Sequence, residues 1–114
     1  MSDCLFCKIA SGQIPSEKVE ETDLLFAFRD INPQAPEHIL IIPKKHIANN
    51  LSLGPEDREM VGEAFLLASR LAERFGIDKT GFRVVTNNGS HAGQAVFHIH
   101  FHLLGGRAMG WPPG

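Results

Sequence analysis

No stretch of the chain restricts its fold as much as the run Phe97-His98-Ile99-His100-Phe101-His102-Leu103-Leu104, which follows Gln94-Ala95-Val96 and closes on Gly105-Gly106. Three of the six histidines fall here at every second position. Side chains on a β-strand alternate between its faces. An extended run over 94–104 therefore sends His98, His100 and His102 to one face and Phe97, Ile99, Phe101 and Leu103 to a core on the other.

Three readings of the imidazole face compete. A single histidine there is usually a polar residue on a half-exposed strand, but three in register are a stronger pattern. An H-x-H pair can hold a metal, yet His98 and His102 lie about 13 Å apart along an extended strand, so all three cannot easily share one ion. The third reading is a row of rings facing an anion, one acting as nucleophile and the others as donors and charge stabilisers. The neighbouring loop Asn87-Asn88-Gly89-Ser90-His91-Ala92-Gly93-Gln94 suits it, because its glycines let backbone N–H groups come close to a ligand and Asn87 and Gln94 add amide donors. An ordinary Asn-Gly turn shares that chemistry.

The other elements follow from pattern and punctuation. Leu5, Phe6 and Ile9 share one side of a short helix that Gly12 stops. Val19-Glu20-Glu21-Thr22-Asp23 leads into the apolar strand Leu24–Phe28, and the turn-rich 31–36 joins it to a strand over 38–42 that starts with His38 and ends at Pro43. Lys44-Lys45-His46-Ile47 begins a short helical or irregular piece. Pro55 with Glu56 and Asp57 opens a long helix, in which Met60, Val61, Ala64, Phe65, Leu67, Ala68, Leu71, Ala72 and Phe75 form the core stripe and Gly76 is the stop. Phe82–Thr86 alternates as a strand that pairs with the histidine run. The tail, residues 107–114, is too rich in proline and glycine for regular structure, and Trp111 is expected to contact a second subunit.

At 114 residues, 43% of them hydrophobic and 21% charged, the chain is read as one folded domain without linkers or repeats. A formal charge of −2 gives no basic field for a phosphate backbone, so nucleic acid is not an expected partner. The start Met1-Ser2-Asp3-Cys4 has neither a basic nor an apolar leader region, and no run is long enough to span a membrane, so cytoplasmic residence is expected. There Cys4-Leu5-Phe6-Cys7 is a metal half-site or a redox pair rather than a structural disulfide.

These residues resemble a known family. His98-Ile99-His100-Phe101-His102-Leu103-Leu104 is similar to the H-φ-H-φ-H-φ-φ signature of the histidine-triad (HIT) proteins, in particular their Hint branch of nucleoside phosphoramidases. The likeness extends through Asp30-Ile31-Asn32-Pro33-Gln34-Ala35-Pro36, Ile42-Pro43-Lys44-Lys45-His46-Ile47, Gly93-Gln94, Leu104-Gly105-Gly106-Arg107 and Trp111-Pro112-Pro113-Gly114.

The resemblance implies an α+β fold over residues 1–114, with a five-stranded antiparallel sheet, one long and one short N-terminal helix, and two such sheets joined in a homodimer. It implies a purine nucleotide site in which His100 attacks the phosphorus of a phosphoramidate or acyl-nucleotide, forms a nucleotidyl-histidine and releases AMP or GMP on hydrolysis, with no metal required for the chemistry. His102 and His38 would flank the phosphate, with His98 completing the triad. Asn87 and the Gly93, Gln94 and Ala95 segment would donate to it, and Asp30 would accept from the ribose. Leu5, Phe6, Ile9, Ile14, Phe28 and Ile31 would hold the base. The same likeness makes Cys4, Cys7, His46 and His98 a structural zinc site. Two departures stand out: Ala95 replaces a serine of well-studied relatives, and Gly110 replaces a histidine found in some. A nucleotide-binding regulatory module, a metalloenzyme using H-x-H and a dinucleoside polyphosphate hydrolase are the alternatives.

Overall fold

The computed structural model describes residues 3–114; Met1 and Ser2, part of the segment inspected for a leader, lie outside the described residues. Helix α1, Leu5–Ala10, comes first, then strands β1, Lys18–Glu21, β2, Leu25–Arg29, and β3, Glu37–Pro43. Helix α2, Arg58–Arg74, follows, and β4, Phe82–Val85, and β5, Phe101–Gly105, complete the sheet. The five strands run β1-β2-β3-β5-β4, each antiparallel to its neighbours, as the family resemblance implies.

Strand alternation divides the sheet into two chemically distinct faces. Leu25 and Ala27 of β2, Ile39 and Ile41 of β3, and Phe101 and Leu103 of β5 pack with Ile99 against Leu67, Ala68, Leu71 and Ala72 of α2. Each fully buried leucine contributes about 1.5–3 kcal/mol. Phe26, Phe28, Leu40 and Ile42 point the other way and pack with Phe6 and Ile9 of α1. The triad rings lie on this α1 face: Phe6 meets His100 edge-on at 5.0 Å and His98 at 6.0 Å, and His100 meets His102 at 5.0 Å.

Several sequence expectations need correction. The histidine strand is shorter than its alternation implies, with β5 beginning at Phe101 and residues 94–100 outside any strand. The ladder stops for identifiable reasons. Beyond the Ile41–Phe101 pair, β3 has only Ile42 before Pro43, which has no N–H to donate. On the other side Thr86 Oγ1, rather than a backbone amide, donates to His100 O at 2.8 Å. Ile99 N instead donates to Ile47 O at 2.6 Å, tying the histidine segment to the chain after β3. Phe97, expected in the core, precedes the strand and is 62% exposed.

Phe65 belongs by spacing to the core stripe of α2 but is half exposed beside Leu66, although its ring reaches Phe101 at 5.9 Å. Residues 44–49 are irregular, with a short 3-10 turn following at Asn50–Ser52. The segment is held to the start of α2 by buried Asp57, which accepts from Gly54 N at 2.9 Å and Lys45 Nζ at 2.8 Å. By sequence β1 is only a lead-in, because its sole apolar residue, Val19, sits among Lys18, Glu20 and Glu21, a composition typical of a guarded sheet edge.

Candidate active site

Strands β3 and β5 lie side by side with Leu40 opposite His102 and His38 opposite Leu104, which sets the two histidines diagonally on one face. Their rings are 5.1 Å apart. His38, His98 and His100 are buried and His102 is half-buried.

The hydrogen-bond partners define the tautomer of each ring. Gln34 N donates to His38 Nδ1 at 3.0 Å, so the His38 proton is on Nε2. That N–H meets His102 Nδ1 at 2.9 Å, with Asp30 Oδ2 at 3.4 Å as a second acceptor. His102 Nδ1 therefore accepts, and its Nε2–H is the donor left for a ligand. His100 has the opposite tautomer: Nδ1 lies 2.8 Å from His98 O, which can only accept, so the proton is on Nδ1 and the Nε2 lone pair is free. His98 Nε2 donates to Pro43 O at 2.8 Å, which frees its Nδ1 lone pair. Burial, together with the neighbouring His100 and His38, pushes His102 down to about 4 against a smaller opposing pull from Asp30. Burial also lowers His38, again opposed by Asp30, and it lowers His98 despite the Pro43 carbonyl. At neutral pH these three rings are uncharged.

His100 and His102 open onto a cavity of about 400 Å³. Leu5, Phe6, Ile9, Ile14, Phe28 and Ile31, the residues expected to hold the base, all line it. Asp30, Asn87, Gly93 and Ala95 also line it. Leu5 and Ile31 are 44% and 99% exposed in the single chain, so they form its rim rather than its floor. Asp30 is fixed by Asn32 N, which donates to its Oδ1 at 2.8 Å.

Gln94 is placed differently from a phosphate donor. Its buried amide donates to Ala48 O at 2.8 Å and Val96 O at 3.2 Å, and accepts from Gly89 N at 2.9 Å. The Gly93 and Gln94 amides close a turn onto Ser90 O and Gly89 O, with Gly93 at φ +81°, a conformation that favours glycine. The next amides, Ala95 and Val96, have no hydrogen-bond partner among the described residues. Sequence reasoning also missed Leu40, Val96, Pro15 and Ser16 in the cavity wall. Leu40 was within reach, because it is two residues from His38 on the same strand face. Thr86, Gln34 and Pro43 act through contacts made only by folding.

Two clusters bring metal-capable atoms together: Cys4, Cys7, His46 and His98, and Asp30, His38 and His102. Donor chemistry separates them. In the first, His98 Nδ1 lies 3.2 Å from Cys4 Sγ, 3.5 Å from Cys7 Sγ and 3.3 Å from His46 Nδ1, with Cys7 Sγ 3.4 Å from His46 Nδ1. Zinc with Zn–S of about 2.3 Å and Zn–N of about 2.0–2.1 Å sets tetrahedral donors about 3.3–3.8 Å apart. The residues therefore fit the ion, and the free His98 lone pair faces it. In the second cluster an ion would need the Nε2 lone pair of His38, which would put a proton on Nδ1 against the Gln34 N–H. That set is built around a proton.

Trp111 is 82% exposed and has the Arg83 guanidinium 5.8 Å from its ring. Arg83 also donates to Gly110 O.

The site so described belongs to the class of α+β domains that hold imidazoles over an antiparallel sheet, facing a cavity. A HIT domain is matched over residues 11–109, and the chain belongs to the HIT family. It is 45% identical over 108 residues to the purine nucleoside phosphoramidase of Escherichia coli K12, covering 95% of this chain and 91% of that protein. A HIT-like protein of Synechocystis is 48% identical over 112 residues, covering 98% of this chain and 97% of the relative. The crystal structure of a HIT family hydrolase from Legionella pneumophila superposes with a TM-score of 0.96 at 53% identity, covering 98% of this chain and 100% of that one.

Proposed function

We propose that the protein is a hydrolase that cleaves purine nucleoside phosphoramidates or acyl-nucleotides by way of a nucleotidyl-histidine on His100. The observation that carries this reading is the free Nε2 lone pair of a buried ring whose Nδ1–H is anchored on His98 O at 2.8 Å. The name of the E. coli relative supports the choice of a purine phosphoramidate.

His100 Nε2 attacks phosphorus and the P–N bond breaks. The bonding pair leaves on nitrogen, which takes a proton from water as the amine departs. The phosphorylated ring is cationic, and the His98 carbonyl facing its Nδ1–H stabilises that charge as it forms. The Nε2–H of neutral His102 and the Ala95 and Val96 amides donate to the phosphoryl oxygens. Water then attacks phosphorus, the P–Nε2 bond breaks, and the nucleoside monophosphate and a proton leave while His100 returns to its neutral form. Asp30 accepts from the ribose hydroxyls. Release of AMP from adenosine 5′-phosphoramidate tests the reading: His100→Ala should lower kcat by more than about 10³-fold. A mutant within tenfold of wild type contradicts it.

Zinc at Cys4, Cys7, His46 and His98 is part of the proposal. An ion there would pin α1, which carries Phe6 and Ile9 of the base slot, to the histidine segment, and its role would be structural. Metal analysis after chelator-free purification should give about one zinc per chain, and less than a tenth of that rejects the site. A homodimer is supported by the unpaired edge of β4 and by exposed Phe65 and Leu66 on α2 and Phe82 on β4. Sedimentation should give twice the chain mass of 12.5 kDa.

Among the described residues no helix is long and apolar enough to cross a membrane. The reading of residues 1–114 as a single domain in the cytoplasm remains part of this proposal.

A further inference from the structure

By sequence Cys4-Leu5-Phe6-Cys7 is half of a metal site or a redox pair, and the fold gives it a position from which it can be both. Cys4 is the N-cap of α1, and the Cys7 N–H donates to its sulfur at 3.3 Å. Both thiols are free and half-buried, and His46 beside them is exposed, so a small oxidant reaches them. What the two sulfurs hold in place gives that access a consequence. Among the described residues, every polar contact of residues 4–14 with the rest of the chain is made by these sulfurs, to His98 and His46. The remaining hold on α1 is apolar: Phe6 and Ile9 pack on Phe26, Phe28, Leu40 and Ile42. A helix of six residues has no stability of its own. The same segment supplies Leu5, Phe6, Ile9 and Ile14 to the wall of the nucleotide cavity.

We infer that Cys4 and Cys7 are an oxidation site: a peroxide converts them to a disulfide, which removes both sulfur ligands from the zinc site proposed above and loosens the wall of the base slot. The inference rests on that zinc reading and goes beyond it by making nucleotide affinity depend on thiol oxidation. The Cys4 thiolate attacks one oxygen of hydrogen peroxide, the O–O bond breaks and hydroxide leaves, giving a sulfenic acid. The Cys7 thiolate attacks that sulfur, the S–O bond breaks and a second hydroxide leaves. Both hydroxides take protons from solvent, and two electrons have passed from sulfur to peroxide. An S–S bond of about 2.0 Å draws together two atoms that tetrahedral coordination keeps about 3.8 Å apart, and a disulfide offers no thiolate to an ion. The anchor of the nucleophile is untouched, because His98 O is a backbone atom and the His98 ring keeps its bond to Pro43 O. The effect therefore falls on binding more than on the chemical step.

The test treats the zinc-loaded chain with hydrogen peroxide, then with dithiothreitol and zinc. Cys4 and Cys7 are the only cysteines, so a count of alkylatable thiols reports this pair alone. Oxidation should remove both thiols, release about one zinc per chain to a chromogenic chelator, and raise the dissociation constant for AMP at least about fivefold, with kcat on adenosine 5′-phosphoramidate within about threefold. Dithiothreitol with zinc should restore all of these, which separates the disulfide from methionine sulfoxide. The Cys4→Ser/Cys7→Ser double variant should show no peroxide-dependent change in AMP affinity. Thiols that survive peroxide, zinc that stays bound after they are lost, or an unchanged AMP constant after zinc release overturns the inference and leaves the zinc site standing. A chain that carries no zinc as purified overturns both.

Discussion

Replacing Gln94 by leucine separates two roles that look alike in the sequence, a donor to the ligand and a clamp between loops. Leucine has nearly the same volume but cannot hydrogen-bond. The change takes the donor from Ala48 O at 2.8 Å and Val96 O at 3.2 Å, and the acceptor from Gly89 N at 2.9 Å. Gln94 is only 7% exposed, so water replaces these partners poorly. An orphaned buried group costs about 1–3 kcal/mol. Since Gly89 is half-buried and can recruit water, the sum is about 2–4 kcal/mol. At about 4 °C per kcal/mol for a chain of this size, the melting temperature should fall by about 8–16 °C. Urea unfolding at fixed pH and zinc measures the stability, and AMP titration of the folded mutant measures the site. The clamp predicts a clear loss of stability with a smaller loss of AMP affinity. A mutant that loses less than 0.5 kcal/mol of stability and binds AMP more than about tenfold more weakly would make Gln94 a ligand donor and refute the argument.

Three further outcomes follow from the geometry. Because His102 is held down to about 4, its ring carbon resonance should titrate near that pH, and a midpoint above 6 contradicts the buried, proton-accepting Nδ1. The sign for stability follows: the unfolded chain binds this proton first, so the His102 contribution is level above its ordinary value of 6.5 and stability falls as pH drops from there to about 4. Gly105→Ala should cost about 1–3 kcal/mol by urea unfolding, because its Cβ would lie 2.5 Å from Ile77 Cδ1 and 2.8 Å from Ile77 Cβ; no loss would mean that Ile77 yields freely. Deleting residues 108–114 while keeping Arg107, which donates to Gln34 O at 3.0 Å, should change substrate preference more than melting temperature. Unchanged kinetics rules out a role for Trp111 at a partner's site.

The parts of this protein legible in its sequence are those governed by local periodicity. The core face of α2 follows from spacing of three to four, the burial of Ile99, Phe101 and Leu103 opposite the triad from spacing of two, and the strands β2 and β3 from short apolar runs closed by turn residues. Phe97 and Phe65 show the limit: a pattern continues in sequence after the element that gives it meaning has ended or turned. The base slot and Asp30 rest on the family likeness, and in the structure these residues line one cavity. The ring tautomers were not legible, because each depends on where folding sets one partner atom: Gln34 N for His38, His38 Nε2–H for His102, Pro43 O for His98 and His98 O for His100. Gln94 was misjudged for the same reason, since an amide beside glycines reads as a ligand donor until its three backbone partners are seen.

The claim on which the account turns is that phosphorus is transferred to His100 before it reaches water, and the stereochemical course at phosphorus tests this most directly. Hydrolysis of a single diastereomer of adenosine 5′-phosphorothioamidate in ¹⁸O-labelled water gives a product whose configuration can be assigned. Two in-line displacements, through the nucleotidyl-histidine, predict net retention. Net inversion would mean that water attacks in a single step, with His100 no more than a polar neighbour, and would contradict the account.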